Sequence, residues 1–214
     1  MVKSSFSHVR AWVFDLDHTL YPPKVALFDQ IEVLMTDYVS GILNVDRQEA
    51  NRLRDHYWRG YGTTLAGLMA EHNIEPDPFL IAVHDIDFSV LPPAPDLAAA
   101  IRALPGRKIV YTNGTAPYAR NVLKARALDG VFDAVYGVEH ANYRPKPEQA
   151  AFEAVFTLDK LPPEQGAMFE DDIRNLQAPH AMGMRTVHVA PKADHHDHIH
   201  HHTDDLTAFL SQLV

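Results

Sequence analysis

Two aspartates two residues apart, Asp15 and Asp17, follow the short apolar run Ala11-Trp12-Val13-Phe14 and lead into His18-Thr19. Alternation along a strand sends side chains two apart in the same direction, so both carboxylates would emerge together where the strand stops. Further apolar runs end on complementary groups: Thr112-Asn113-Gly114-Thr115, then Arg144-Pro145-Lys146-Pro147, then Glu170-Asp171-Asp172. Gathered at one place, these residues form a crowd of carboxylates with one lysine, a hydroxyl and backbone amides freed by glycine. Two carboxylates about 4 Å apart repel by roughly 4 kcal/mol at an effective dielectric of about 20, so such a cluster needs raised pKa values or a cation. Oxygen-only ligands suit a hard cation, and Mg²⁺ characteristically combines one or two carboxylates with waters and a substrate phosphate. Lys146 and the Thr112 hydroxyl would complete a phosphate cradle. An aspartate backed by metal and lysine is a credible nucleophile toward phosphorus, and a second aspartate two residues on can serve as general acid and base.

Positioning these groups needs strands whose ends coincide. Short apolar runs at 10–15, 108–112, 134–138, 167–169 and 186–189 read as strands. Helical patterns separate most of them: 116–127, with Thr115 as a cap and Gly130 after it, 148–156, and 173–182, ending at Gly183. Such alternation implies an α/β fold, a doubly wound parallel sheet with helices on both faces, and ligand sites in such sheets lie at the carboxyl ends of the strands.

The stretch 22–91 carries no convincing strand and reads as a helical insertion, leaving 1–21 and 92–214 as a core split in sequence. Leu27, Phe28, Ile31, Leu34, Met35, Tyr38 and Ile42 fall at three- and four-residue spacings on one helix face. Asp46 is placed to cap a second helix through about Arg59, Thr63 or Thr64 to start a third, and Pro76 and Pro78 to open a short fourth. Leu91-Pro92-Pro93-Ala94-Pro95 closes the stretch as a stiff boundary.

Composition narrows the function classes. With 214 residues, 46% of them hydrophobic, the chain suits one globular unit, or one unit with an insertion, and not a disordered segment. The absence of cysteine excludes disulfide scaffolds, thiolate zinc sites and cysteine nucleophiles. A net charge of −9 argues against holding a nucleic acid polymer through its phosphates, so an anionic substrate must be met locally. No apolar stretch is long enough for a signal-peptide core or a membrane span, which makes a soluble cytoplasmic protein the expectation.

Asp15-Leu16-Asp17-His18-Thr19, Thr112-Asn113-Gly114, Lys146 within Arg-Pro-Lys-Pro, and Phe169-Glu170-Asp171-Asp172 together resemble the motifs of the haloacid dehalogenase (HAD) superfamily of phosphohydrolases, in that superfamily's order. The resemblance implies a Rossmann-like core with a helical cap inserted after the first motif. It implies Asp15 as the nucleophile that forms an aspartyl-phosphate and Asp17 as acid and base. Thr112 and the Asn113 amide would bind phosphate, and Lys146 would steady nucleophile and phosphate. Mg²⁺ would be held by Asp15, the Asp17 carbonyl and Asp171, with Glu170 and Asp172 as further candidates; Asp172 reads equally as a helix N-cap.

A narrower resemblance runs through Tyr61-Gly62-Thr63-Thr64-Leu65-Ala66-Gly67-Leu68, His84-Asp85-Ile86-Asp87, Tyr143-Arg144-Pro145-Lys146-Pro147 and Glu170-Asp171-Asp172-Ile173-Arg174-Asn175-Leu176. These are similar to the pyrimidine 5′-nucleotidase group, which implies nucleoside 5′-monophosphates such as UMP and CMP as substrates. Thr115 departs from that pattern, where Asp after Asn-Gly is more usual. Sugar phosphates and pyridoxal phosphate stay open as alternatives. His84, Asp85 and Asp87 read either as cap contacts to substrate or as a polar helix face.

Fourteen histidines are unusual, and the tract 194–202 concentrates them. Clustered imidazoles could bind transition metals, which leaves a non-catalytic metal-buffering protein as a rival of another class. The plainer reading, which we favour, is a solvated loop leading to Thr203, which caps a last helix at 204–213.

Overall fold

The computed structural model describes residues 2–214. Six strands form one sheet: β1 (Ala11–Phe14), β2 (Arg107–Tyr111), β3 (Ala134–Tyr136), β4 (Gly166–Glu170), β5 (Arg185–Val189) and β6 (His201–Thr203). The order is β3-β2-β1-β4-β5-β6 and every pairing is parallel. The chain steps outward from β1 to β3, returns to the other side of β1 as β4, and steps outward again. That reversal opens a crevice beyond the carboxyl end of β1.

Five helices separate β1 from β2, the first four of them within the expected insertion: α1 (Leu27–Leu43), α2 (Arg47–Tyr61), α3 (Thr64–His72) and α4 (Pro76–Val83). Their starts follow local chemistry. The Asp46 carboxylate accepts from Glu49 N at 2.8 Å, the Thr63 hydroxyl accepts from Ala66 N at 3.1 Å, and Pro76 occupies the first turn of α4, where its missing N–H costs nothing. The face expected on α1 buries Leu27 and Ile31, whereas Ile42 at its last turn is exposed.

Both faces of the sheet are covered, as continuously apolar strands require. Trp12, Phe14, Ala167 and Phe169 share one core with α5 (Pro95–Ala103), α6 (Ala116–Ala125), α9 (Leu206–Ser211) and the apolar sides of α1–α4. Val13, Ile109 and Met168 pack on the other face against α7 (Gln149–Asp159) and the short α8 (Gln177–Ala181). Phe14 and Phe169 stack at 4.7 Å in adjacent strands, and burial of each such ring contributes about 1.5–3 kcal/mol.

Three expectations are corrected. The end of the histidine tract is not loop: His201 and His202 enter β6, opposite Val187 and His188. The open edge of β5 offers unpaired backbone groups that the returning chain satisfies. Asp205, not Thr203, caps α9 by accepting from Ala208 N at 2.9 Å, while the Thr203 hydroxyl accepts from Asp205 N. The helix expected at 173–182 divides into a tight 3-10 turn, Ile173–Leu176, and α8, because Asp172 accepts from Arg174 N and winds the chain tightly there.

Candidate active site

Strand register decides which residues meet. Phe14 is level with Val110 in β2 and with Phe169 in β4, so the residues that follow them, Asp15, Tyr111 and Glu170, are level at the carboxyl edge. Lys146 arrives from the loop after β3 and reaches all three. Its Nζ donates to Asp15 Oδ1 at 2.6 Å, to Glu170 Oε2 at 2.6 Å and to the Tyr111 carbonyl at 3.2 Å. An ammonium has three protons, and here each is committed to the protein. Steadying of Asp15 is therefore visible, whereas a direct bond from Lys146 to phosphate would require one of these three to yield.

Lys146 is itself held by Asn113, whose side-chain oxygen accepts from Lys146 N at 2.8 Å and whose amide donates to the Lys146 carbonyl at 3.1 Å. The turn between α2 and α3 rests on the same loop. Gly62 there has φ +88°, and a Cβ would sit 3.2 Å from the Lys146 carbonyl, so glycine answers both to conformation and to space.

The charges do not balance. Asp15, Glu170 and Lys146 are all buried. Burial, followed by Asp171 and Asp17, pushes the Asp15 carboxyl up to about 7 against the pull of Lys146. Burial and Asp15 raise Glu170 likewise. Burial works against the charge on Lys146, but Asp15 and Glu170 outweigh it and keep the lysine protonated. Asp15, Glu170 and Asp171 each offer a carboxylate oxygen within 4.8 Å of the others, the one such group of possible metal ligands among the described residues. Asp172 lines the same cavity but stands outside that group: the Arg174 guanidinium holds it, with Nη2 at 2.6 Å from Oδ2, while stacking over Trp58 at 3.7 Å. It is the helix-cap reading of Asp172 that the geometry supports.

Asp17 sits in a different environment. Its Oδ1 accepts from the hydroxyls of Tyr21 and Tyr118, both at 2.5 Å. Burial raises its pKa, and the two phenols oppose that rise. Gly114 makes room for Tyr118, since a Cβ there would lie 2.8 Å from the ring. The His84 ring, at the end of α4, stacks on Tyr118 at 4.2 Å and 9°, and burial pushes His84 down to about 4, so it is neutral.

Thr112 is buried, and its hydroxyl accepts from Gly114 N at 3.0 Å. A cavity of about 590 Å³ joins Asp15, Asp17, Thr112, Asn113, Lys146, Glu170 and Asp171 to residues of the helical insertion, among them Phe28, Asn51, Arg54, Trp58 and His84. Asp85 is exposed and outside that lining, because α4 has ended and the chain turns away. Asp87 is likewise exposed and caps the next turn through Ser89 N.

Sequence reasoning missed several participants. Arg54 is one, a half-buried guanidinium that donates to Thr36 Oγ1 at 2.6 Å with Glu32 3.6 Å away. Another is His18, in the left-handed region at φ 61°, with Nδ1 3.5 Å from Asp171 Oδ2. Tyr21 and Tyr118 complete the set; only the first, four residues after Asp17, carried a local signal.

Comparison with known proteins gives this geometry a family. Residues 12–189 match the haloacid dehalogenase-like hydrolases. The chain belongs to that family. This HAD-like hydrolase is similar to phosphate metabolism protein 8 of Saccharomyces cerevisiae, 26% identical over 196 residues that cover 82% of this chain and 60% of the yeast protein. The chain thus spans about 60% of that relative's length. Among solved structures, the magnesium-bound HAD-hydrolase YfnB from Bacillus subtilis has a TM-score of 0.65 at 16% identity, covering 96% of this chain and 98% of that one. CbbY from Rhodobacter sphaeroides, in complex with phosphate, has a TM-score of 0.65 at 18% identity, covering 95% and 99%. At those identities the likeness is one of fold. No helix among the described residues of this hydrolase is long and apolar enough to cross a membrane.

Proposed function

We propose that this HAD-like hydrolase is a Mg²⁺-dependent phosphomonoesterase acting on pyrimidine nucleoside 5′-monophosphates through an aspartyl-phosphate on Asp15. The observation that carries the reading is the separation of two aspartates into two environments: Asp15 on Lys146 beside Glu170 and Asp171, Asp17 on two phenols. Carboxylates in contrasting surroundings are what divided nucleophile and acid roles require.

The donor set fits a hard divalent cation. Three carboxylate oxygens lie close together, and burial with mutual repulsion drives two of them toward neutrality, a condition that a doubly charged ion reverses. Asp15, Asp171 and the Asp17 carbonyl would hold it, with Glu170 adjoining. When bound, such an ion supplies positive charge to the phosphate oxygens.

In the first transfer an Asp15 oxygen forms a bond to phosphorus while the phosphorus–oxygen bond to the leaving group breaks, its electron pair staying on the leaving oxygen, which takes a proton from Asp17. In the second, water adds to phosphorus, Asp17 takes its proton, and the bond to Asp15 breaks. Lys146 fixes the attacking carboxylate, and the Thr112 hydroxyl and Asn113 backbone amide receive the phosphate. Residues 22–91 act as the cap and 1–21 with 92–214 as the catalytic core.

The substrate reading is supported by the resemblance to pyrimidine 5′-nucleotidases and by the upper cavity. Asn51 and Arg54 bring hydrogen-bond donors, and Phe28 and Trp58 bring rings, to a volume in the usual range for small-molecule sites. A dehalogenase would have no use for Asp17, because halide leaves carbon without a proton. A phosphonatase needs a Schiff-base lysine in the cap, where the one lysine, Lys24, lies close to the hinge. A panel of phosphomonoesters assayed with Mg²⁺ tests the proposal. UMP and CMP should exceed glucose 6-phosphate and pyridoxal phosphate by about tenfold or more in kcat/KM. Comparable rates across the panel would overturn the nucleotidase reading, and phosphate release that survives Asp15→Asn would overturn the mechanism.

A further inference from the structure

The two hydroxyls that reach Asp17 come from separate parts of the chain and converge on a single oxygen. Tyr21 lies four residues on from Asp17 and Tyr118 on α6, yet both donate to Oδ1, at 2.5 Å each, and neither to Oδ2. A carboxylate oxygen has two lone pairs, so Oδ1 is saturated and any proton on Asp17 belongs on Oδ2. Tyr118 is in turn fixed by its surroundings. Gly114 admits its ring on the core side, and the His84 ring, contributed by the helical insertion, lies parallel to it.

We propose that Tyr21 and Tyr118 are positioning residues that confine the transferable proton of Asp17 to Oδ2, and that His84, stacked on Tyr118, ties this placement to the seating of the helical insertion on the sheet. The proposal rests on Asp17 being the acid and base of the reaction above. In the step affected, the electron pair of the breaking phosphorus–oxygen bond stays on the leaving oxygen. The proton on Asp17 Oδ2 moves to that oxygen and leaves Asp17 as a carboxylate accepting from both phenols. Neither tyrosine exchanges a proton in this step. With one hydroxyl removed, Oδ1 competes with Oδ2 for the proton, and a fraction of Asp17 presents the wrong oxygen to the leaving group. The two ends of the His84–Tyr118 stack belong to different parts of the fold, so a displaced insertion would loosen the acid as well as open the cavity.

Leaving-group dependence separates this role from general support of the fold. p-Nitrophenolate leaves as a stable anion, whereas the 5′-alkoxide of a nucleotide needs a proton as it departs. Tyr118→Phe, which keeps the ring and its stack, should lower the single-turnover rate of the first transfer from UMP by about tenfold or more with substrate affinity little changed, within the range that acid catalysis contributes. It should change the single-turnover rate of the first transfer from p-nitrophenyl phosphate by less than about twofold. Tyr21→Phe should show the same selectivity. In an Asp17→Asn background neither change should matter further, the signature of residues acting through Asp17. His84→Ala should give a smaller loss of the same kind, and His84→Phe, which can stack but cannot hydrogen-bond, should restore it.

Equal losses on both esters in Tyr118→Phe and Tyr21→Phe would overturn the proposal while leaving Asp17 as the acid, and so would full effects in the Asp17→Asn background. Failure of His84→Phe to restore activity would overturn the link to the insertion. Should the first transfer in Asp17→Asn itself be indifferent to the leaving group, the acid reading falls and the proposal with it. A wild-type enzyme that ignores UMP but cleaves glycerol phosphate would refute only the nucleotide reading, and the same comparison then runs with glycerol phosphate as the alkyl ester.

Discussion

The carboxyl edge of β1 and β4 and the tract 194–202 both concentrate ionisable side chains, yet the fold treats them oppositely. At the strand edge, groups far apart in sequence are forced together: Lys146 is 131 positions from Asp15 and 24 from Glu170, and all three are buried in contact. In the tract, His196 stacks on His198, but the last three histidines are sent to separate partners. His202 donates to the Ala190 carbonyl at 2.8 Å, His200 Nδ1 meets the Thr186 hydroxyl at 2.7 Å, and His201 pairs with Ser5 while lying against Phe6. These three imidazoles meet local backbone or packing needs, and the tract forms no group of three possible ligands among the described residues. A run of reactive residue types is therefore a poor guide to a site. Convergence of strand ends is a better one, because it creates an electrostatic problem that a substrate or ion can solve.

The contrast can be broken first at Lys146. Lys146→Met leaves Asp15 and Glu170 buried without a counter-charge, and removing one partner of a buried pair costs about 3–5 kcal/mol. Urea unfolding should show a loss of that size together with lost turnover; a stable, active variant would mean that the cluster is not the electrostatic centre described. Next in size is the response to metal. Mg²⁺ at about 100 times its dissociation constant should stabilise the protein by roughly 2.7 kcal/mol. A thermal melt should lose that shift in Asp171→Asn and keep it when His195 and His196 are replaced; the reverse pattern would move the metal site to the tract.

The pH dependence of stability should carry opposite signs in the two regions. Burial holds Asp15 at about 7, well above an ordinary aspartate, so without divalent cation the fold keeps a proton that the unfolded chain releases. Stability then falls as pH rises from about 4 to about 7. Although the His200 residue is exposed, its Nδ1 accepts from Thr186 N at 3.1 Å, and local desolvation, with Arg185 and the nearby histidines, holds it down at about 4, so the unfolded chain takes up a proton that the fold refuses. Stability falls there as pH drops from about 6.5 toward 4. The two windows overlap and their slopes oppose, so in urea midpoints across pH 4–8 Asp15→Asn should leave stability falling toward acid pH, and His200→Gln should leave it falling toward neutral pH. Smallest of all, His195→Ala and His196→Ala, both at exposed positions, should change stability by no more than about 0.5 kcal/mol and leave hydrolysis untouched.

What could be read from sequence follows from the same contrast. The strand ends at Asp15, Thr112 and Glu170 were legible because each closes an apolar run, and the helix starts at Asp46, Thr63 and Thr115 because capping is local chemistry. The Tyr118–Asp17 bond spans 101 positions and has no local trace; only the smallness required at Gly114 hints at a ring beside it. β6 was invisible because histidines at the edge of a sheet carry no apolar alternation. Thr203 and Asp205 are both good capping types, and which one caps α9 depends on where β6 releases the chain. The position of Asp85 turned on where α4 stops, since the helix ends at Val83 with His84 as its cap, and element boundaries are set by tertiary contacts as much as by propensity.

The central claim is that Asp15 becomes covalently phosphorylated. Acid quench of wild-type protein within one turnover of UMP and Mg²⁺, followed by peptide mass spectrometry, tests it most directly. A phosphoryl adduct on the peptide carrying Asp15, absent from Asp15→Asn, is the predicted result. Phosphate release without any adduct on that peptide, persisting in Asp15→Asn, would contradict it.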